Sequence, residues 1–181
     1  MSILYSRSLD TGVLPDGWKR GHVTPVYKRG GRSCPNNYRP ITLTSVVGKI
    51  LESIIRDHGF DHLISHNLLS PQQHGFVPGK SCVSQLITAM DRWTQAYDSG
   101  YNTDIIYFDF SKAFDTVPHL RLLHKLEVYG IKDKLLMWFK NFLVGRQQCV
   151  VLNNIQSSWS IVTSGVPQGS VLGPQLEYNS T

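Results

Sequence analysis

Three groups of residues in this chain have the types and spacing to do chemistry. The first is Asp109, at the end of the apolar run Ile105-Ile-Tyr-Phe-Asp-Phe110. That composition, β-branched and aromatic nearly throughout, predicts a strand covered on both faces. An unpaired carboxylate buried there costs several kcal/mol or more. Asp109 therefore reads as a general base, a structural carboxylate or a metal ligand. Asp115, further along, stands beside Thr116 and Pro118 and reads more readily as a helix-start cap than as a second ligand. The second group is cationic. No acidic residue lies between Gly17 and Leu51, whereas Lys19, Arg20, Lys28, Arg29, Arg32, Arg39 and Lys49 all do. Such a segment suits a polyanionic partner, and it equally suits a solvated basic loop. The third group is His58, His62 and His66, spaced i, i+4 as on a zinc-binding helix face. Gly59 weakens that helix and only Asp61 stands nearby as a further ligand, so a solvated face is the preferred reading.

The formal charge is +5 and the pI about 9.2, and most of the excess sits in the first half. With 181 residues the chain is long enough for one core, or for most of a larger domain. Its three cysteines, Cys34, Cys82 and Cys149, form no Cys-x-x-Cys pair, which argues against a disulfide framework or zinc knuckle and for a reducing compartment. The first residues have no apolar core of signal-peptide length, and no run approaches the roughly 18 apolar residues of a membrane span. These features predict a soluble intracellular protein, cytoplasmic or nuclear, with no membrane partner.

The elements that must position these residues are legible in outline. Residues 1–22 contain the turn Pro15-Asp-Gly17 and read as a lead-in that is not part of the core. His22 to Tyr27 is a strand candidate that Pro25 confines to an edge or bulge. A loop from Lys28 to Asn37 follows, then Tyr38-Arg-Pro-Ile-Thr-Leu-Thr-Ser45, with Ser45 capping a helix over 46–55 whose inner face is Val47, Ile50, Leu51 and Ile54. Helical character resumes over 61–67. A Gly- and Pro-rich loop leads to Ser81, the cap of a helix over 83–98, and the stripe Leu86, Ile87, Met90, Trp93, Tyr97 predicts a core-facing side. After the Asp109 strand, Pro118 opens a helix that Gly130 closes, with Leu120, Leu123, Leu126 and Val128 available for burial. Asp133 begins another, carrying Leu135, Leu136, Phe139, Phe142 and Leu143, and Gly145 ends it. Residues 147–152 and 155–163 form a hairpin about Asn153-Asn154. The last stretch, 175–181, shows no periodicity.

Four motifs occur in order: Tyr38-Arg-Pro-Ile, His74-Gly-Phe-Val-Pro-Gly-Lys-Ser81, Phe108-Asp-Phe-Ser-Lys-Ala-Phe-Asp115 and Gly165-Val-Pro-Gln-Gly-Ser-Val-Leu-Gly-Pro174. Taken together they resemble the reverse transcriptases of non-LTR (LINE-type, jockey-like) retrotransposons, over about residues 14–174. A group II intron maturase is a less close match in wording.

The resemblance implies an α+β right-hand polymerase: fingers over 23–100, a first palm strand over 101–117, fingers helices and a hairpin over 118–164, and the start of a palm return over 165–181. It implies an RNA-directed DNA polymerase acting on deoxynucleoside triphosphates, an RNA template and a DNA primer, with Mg²⁺ as cofactor and Mn²⁺ as its substitute. Asp109 matches the first catalytic aspartate, and Phe110 would lend a backbone carbonyl to the metal. Lys28 and Arg39 match the triphosphate contacts, Phe114 the aromatic wall that excludes a ribose 2′-hydroxyl, and Gln168 with Gly169 the lining of the nascent base pair. Without the resemblance, Phe114 reads as a core aromatic and Gln168-Gly169 as a turn. Two departures stand out. Val77 replaces the family's usual arginine, for which the template-side Lys80 compensates only in part. The family's aromatic-x-Asp-Asp motif, expected after the helix beginning near Gln168, does not occur before Thr181, which leaves the metal site and thumb incomplete. The residues thus predict a fragment inactive by itself; the other reading is a non-catalytic nucleic-acid-binding remnant. Oligomeric state has no sequence signature here.

Overall fold

The structure, a computed structural model, describes residues 1–110 and 112–178, without the side chains of residues 177 and 178. Ser111, inside the Phe108–Asp115 motif, and residues 179–181 of the expected palm return lie outside the described residues. The described chain is α+β and divides into two compact units, residues 1–61 with 112–178, and residues 62–110.

The first unit is built on a sheet. Strand β1 (Arg20–Tyr27) pairs antiparallel with β2 (Tyr38–Leu43) along its whole length, Tyr27 meeting Tyr38 and His22 meeting Leu43. On its other side β1 runs parallel to β3 (Gln147–Leu152), but only over Arg20 to Val23. Strand β1 is thus interior and not the edge strand expected; Pro25, which cannot donate to a ladder, is tolerated because it stands opposite Pro40 beyond the end of the β3 pairing, where β1 has a single neighbour. The far side of β3 carries β4 (Ile155–Gln156) and β5 (Ser160–Ile161). Asn153 and Asn154 turn the β3–β4 hairpin with φ of 50° and 64°, the left-handed pair that a tight hairpin turn demands.

The core of this unit centres on helix α5 (Asp133–Leu143). Trp138 stacks on Phe142 at 5.4 Å and meets Phe139 edge-on at 5.6 Å. Around them pack Leu122, Leu123 and Leu126 of α4 (His119–Val128), Leu51 and Ile55 of α2 (Val46–Ser65), and Val117, Val166, Leu172 and Leu176. Each such side chain contributes about 1.5–3 kcal/mol of burial. Helix α2 runs unbroken through Gly59. A Cβ at that glycine would lie 3.0 Å from the Gln175 side chain.

Several expectations change. Residues 1–22 are not a detached lead-in: helix α1 (Ser2–Thr11) packs Tyr5 and Leu9 against the core, Leu14 lies within it, and the Trp138 indole N–H donates to Ser8 Oγ at 3.1 Å. The polar α1 has little apolar patterning of its own, so packing on α5 and not periodicity places it. Leu120 and Val128 of α4 are exposed, as are Ile50 and Ile54 of α2, because the neighbouring helices cover the adjacent stripes instead. Residues 175–178, part of the stretch expected to be aperiodic, lie in helix α6 (Gly173–Tyr178), with Leu176 buried.

The second unit holds α3 (Cys82–Asp98). Ser81 caps it as expected, accepting the Ser84 N–H at 3.1 Å while Ser84 Oγ accepts the Ser81 N–H at 2.9 Å. The stripe on this helix, however, is not core: Val83, Leu86, Ile87, Met90 and Tyr97 are all exposed. Periodicity states which face an amphipathic helix offers, and nothing in this unit covers it. The larger correction concerns Ile105 to Phe110. It forms no strand, and Tyr107 and Phe108 are 82% and 84% exposed. A strand is a pairing, not a composition; among the described residues none pairs with this one. Asp109 is therefore an exposed carboxylate, without the burial cost expected of it.

Candidate functional site

The first unit contains a groove of about 390 Å³. Strand alternation makes its floor: Gly21 and Val23 of β1, Thr42 of β2, and Gln148 and Val150 of β3 point to the same side. The opposite wall is the extended segment from Ile161 to Gln168, and Asp115 lines the groove as well.

That wall is held from both sides. Val166 N–H donates to Phe114 O and Gly165 N–H to Val117 O, both at 2.8 Å, and Ser164 Oγ donates to Asp115 O at 2.9 Å. Buried His119 closes the set, donating from Nε2 to Gly165 O at 2.7 Å. Gly165 has φ +84° and would place a Cβ 2.6 Å from Phe114 O, so this crossing requires glycine. Next, Thr42 N–H donates to Gln168 O at 2.7 Å. Gly169, at φ +117°, would bring a Cβ within 2.6 Å of Thr42 O. Close backbone approach explains the Gln168-Gly169 pair before any substrate is invoked.

Beyond the glycine, Glu52 fixes the chain again. Its Oε2 accepts the N–H of Val171 at 2.8 Å and of Leu172 at 3.2 Å, while the side chain is only 3% exposed. Burial pushes the Glu52 carboxyl above its ordinary value, against the two N–H groups and the charges of Arg146 and Lys49, which pull it down. Arg146, equally buried, is lowered by desolvation and raised by Glu52; its guanidinium lies over the Phe142 ring at 5.1 Å and donates to Phe142 O at 3.3 Å.

A sequence model described as reverse transcriptase (RNA-dependent DNA polymerase) matches residues 26–178, most of the chain. The chain belongs to the reverse transcriptase family. It is similar to the "Probable RNA-directed DNA polymerase from transposon BS" of Drosophila melanogaster, at 31% identity over 97% of this chain and 19% of that protein. It is also similar to the "RNA-directed DNA polymerase from mobile element jockey" of the same organism, at 29% identity over 97% and 19%. The "Putative COX1/OXI3 intron 2 protein" of Saccharomyces cerevisiae matches at 32% identity, again over 97% and 19%. The chain thus spans about a fifth of the length of these curated relatives.

Within this reverse transcriptase domain the expected site residues fall in both units. Gln168 lines the groove and Gly169 lies directly behind it. Phe114 is half-buried against the core and lends the groove wall its backbone oxygen. Lys28 and Arg39 are exposed on the β1–β2 hairpin, Arg39 opposite Val26 and Lys28 donating its N–H to Asn37 O at 2.8 Å. Asp109, Phe110 and Lys80 belong to the second unit, where Phe110 is exposed and Lys80 donates to Pro71 O. Among the described residues no three His, Cys, Asp or Glu side chains gather as a metal site. One exposed carboxylate and a neighbouring carbonyl do not amount to a two-ion centre, so the donors present do not by themselves fit the metal pair that the family implies. In the histidine stripe, His62 and His66 stack at 4.3 Å, and His66 Nδ1 lies 2.9 Å from His62 O.

Sequence reasoning missed Glu52, His119 and Arg146. The sequence held a partial signal for Glu52, which shares a helix face with Gly48 and Ile55, although the loop that folds back over it decides its burial. Arg146 and His119 had none, since their burial depends on the wall that folds back from residues far along the chain.

Proposed function

We propose that this chain is the nucleotide-handling part of an RNA-directed DNA polymerase from a non-LTR retrotransposon, working inside the cell on an RNA template, a DNA primer and deoxynucleoside triphosphates. The observation that carries the reading is the clamped Gln168: with its carbonyl held by the Thr42 N–H and no space for a side chain at position 169, Gln168 lines a groove floored by one face of the sheet. On this reading Gln168 and Gly169 meet the nascent base pair, where a fixed amide and bare backbone allow close approach. Phe114 stands beside the sugar and rejects a 2′-hydroxyl by volume. Lys28 and Arg39, on one exposed hairpin, take the triphosphate, the planar guanidinium binding two oxygens at once. Lys80 meets the template. Asp109, with the Phe110 carbonyl, would contribute to holding Mg²⁺ or Mn²⁺ but would not suffice for the pair.

The test is a chimera in which these residues replace their counterparts in the jockey polymerase, assayed for primer extension on an RNA template. Extension that is lost on Asp109→Asn supports the reading. A soluble, folded chimera that extends no primer, or extends equally well after that substitution, rejects it.

A second reading, a nucleic-acid-binding remnant without chemistry, is favoured by one observation: Asp109 stands exposed on an unpaired segment. The same chimera separates the two, because a remnant binds template and incorporates nothing.

A further inference from the structure

All five strands of the sheet come from two stretches of chain without a single Asp or Glu, residues 17–51 and 134–176. The groove uses one face of that sheet. On the other, β1 alternation exposes Arg20 and His22. Trp159, immediately before β5, lies between them, 41% exposed: the Arg20 guanidinium is 5.6 Å from its ring centroid and the His22 ring 5.4 Å. Lys19 precedes this set, and Lys28, Arg29, Arg32 and Arg39 continue along the β1–β2 hairpin.

A large indole left half in water beside a guanidinium and an imidazole, on a sheet whose strands carry no Asp or Glu, has the chemistry of a stacking platform for a polyanion that carries planar rings. We propose that the Arg20–Trp159–His22 face binds single-stranded nucleic acid, one base stacking on Trp159 while Lys19 and Arg20 meet the flanking phosphates. A duplex hides its base faces and so presents only phosphates here. Heparin and anionic lipid have charge without planar aromatic rings. The surface lies on the face of the sheet away from the groove and needs no metal or nucleotide, so it stands or falls independently of polymerase activity.

The experiment uses the 181-residue chain and a fluorescein-labelled twelve-nucleotide oligo(U), followed by anisotropy without divalent ions. Trp159→Ala is expected to weaken binding by about tenfold or more, with Trp159→Phe restoring most of it and heparin binding unchanged by either. Arg20→Gln is expected to reduce the slope of log affinity against log salt by about 0.7. If Trp159→Ala unfolds the chain, Trp159→Leu fills the same space without a ring and is expected to behave as Trp159→Ala should. Equal oligonucleotide affinity for wild type and the ring-less variant overturns the proposal. So does an equal loss of heparin binding, a Trp159-dependent affinity for phosphatidylserine vesicles as strong as that for oligo(U), or no binding by the wild type at low salt.

Discussion

Glu52 Oε2 accepts the backbone N–H of Val171 at 2.8 Å, so a buried carboxylate on a helix holds the loop that follows Gln168. Its carboxyl is raised by burial, which fixes the sign of a pH effect. The folded state binds this proton more tightly than the unfolded chain. The contribution to stability is therefore complete below the ordinary carboxylate range and is lost as pH rises through the raised value. Urea melts across that range should show this decline in the wild type and a flatter profile in Glu52→Gln. Glu52→Ala, leaving two buried N–H groups without an acceptor, should cost about 2–4 kcal/mol at low pH and less as pH rises through the raised value. A Gln variant with the wild-type profile would show that Glu52 does not titrate in the fold.

Gly169→Ala should destabilise the first unit by about 1–3 kcal/mol, because φ +117° and a carbonyl 2.6 Å from the new methyl both oppose it. Strain should appear first at the partner. Amide exchange at Thr42, whose N–H donates to Gln168 O, should accelerate in the variant; protection equal to wild type would show that the loop has room to move.

The exposed α3 stripe and the unpaired Ile105–Phe110 segment place Leu86, Ile87, Met90, Ile106, Tyr107 and Phe108 in water. Apolar surface of that extent favours association. Light scattering on the isolated chain should show mass rising with concentration, and the double variant Leu86→Lys, Met90→Lys should suppress it. A wild type that stays monomeric at all concentrations removes the argument.

Phe114→Val in the active chimera should admit ribonucleotides while leaving deoxynucleotide incorporation largely intact, since shortening a wall removes a clash that only a 2′-hydroxyl meets. Phe114 also packs against the core, so a melt must accompany the assay. Lower stability with unchanged sugar discrimination would assign it to packing alone.

The chain without the remainder of a polymerase should extend no primer with Mg²⁺ or Mn²⁺. Two divalent ions close together repel strongly, and Asp109 with one carbonyl supplies too little charge to hold them. Measurable extension by purified protein would show that another carboxylate, Asp115 first, completes the site.

Much of this was written in local sequence. Four ordered motifs carried the resemblance to the family, and Gly165 and Gly169 in the last of them stand where backbones touch. Caps and turns at Ser81, Pro118, Asn153 and Asn154 likewise depend on near neighbours, and they stand where the residues put them. What only the tertiary structure decided depends on partners far along the chain. Whether Ile105–Phe110 is a buried strand turns on a second strand to pair with it, and none among the described residues does. Whether the α3 stripe is core turns on a covering surface, and whether Glu52 is solvated or buried turns on a loop that folds back over it. A residue's type sets what it needs; burial and pairing belong to two segments at once, and no reading of one segment contains them.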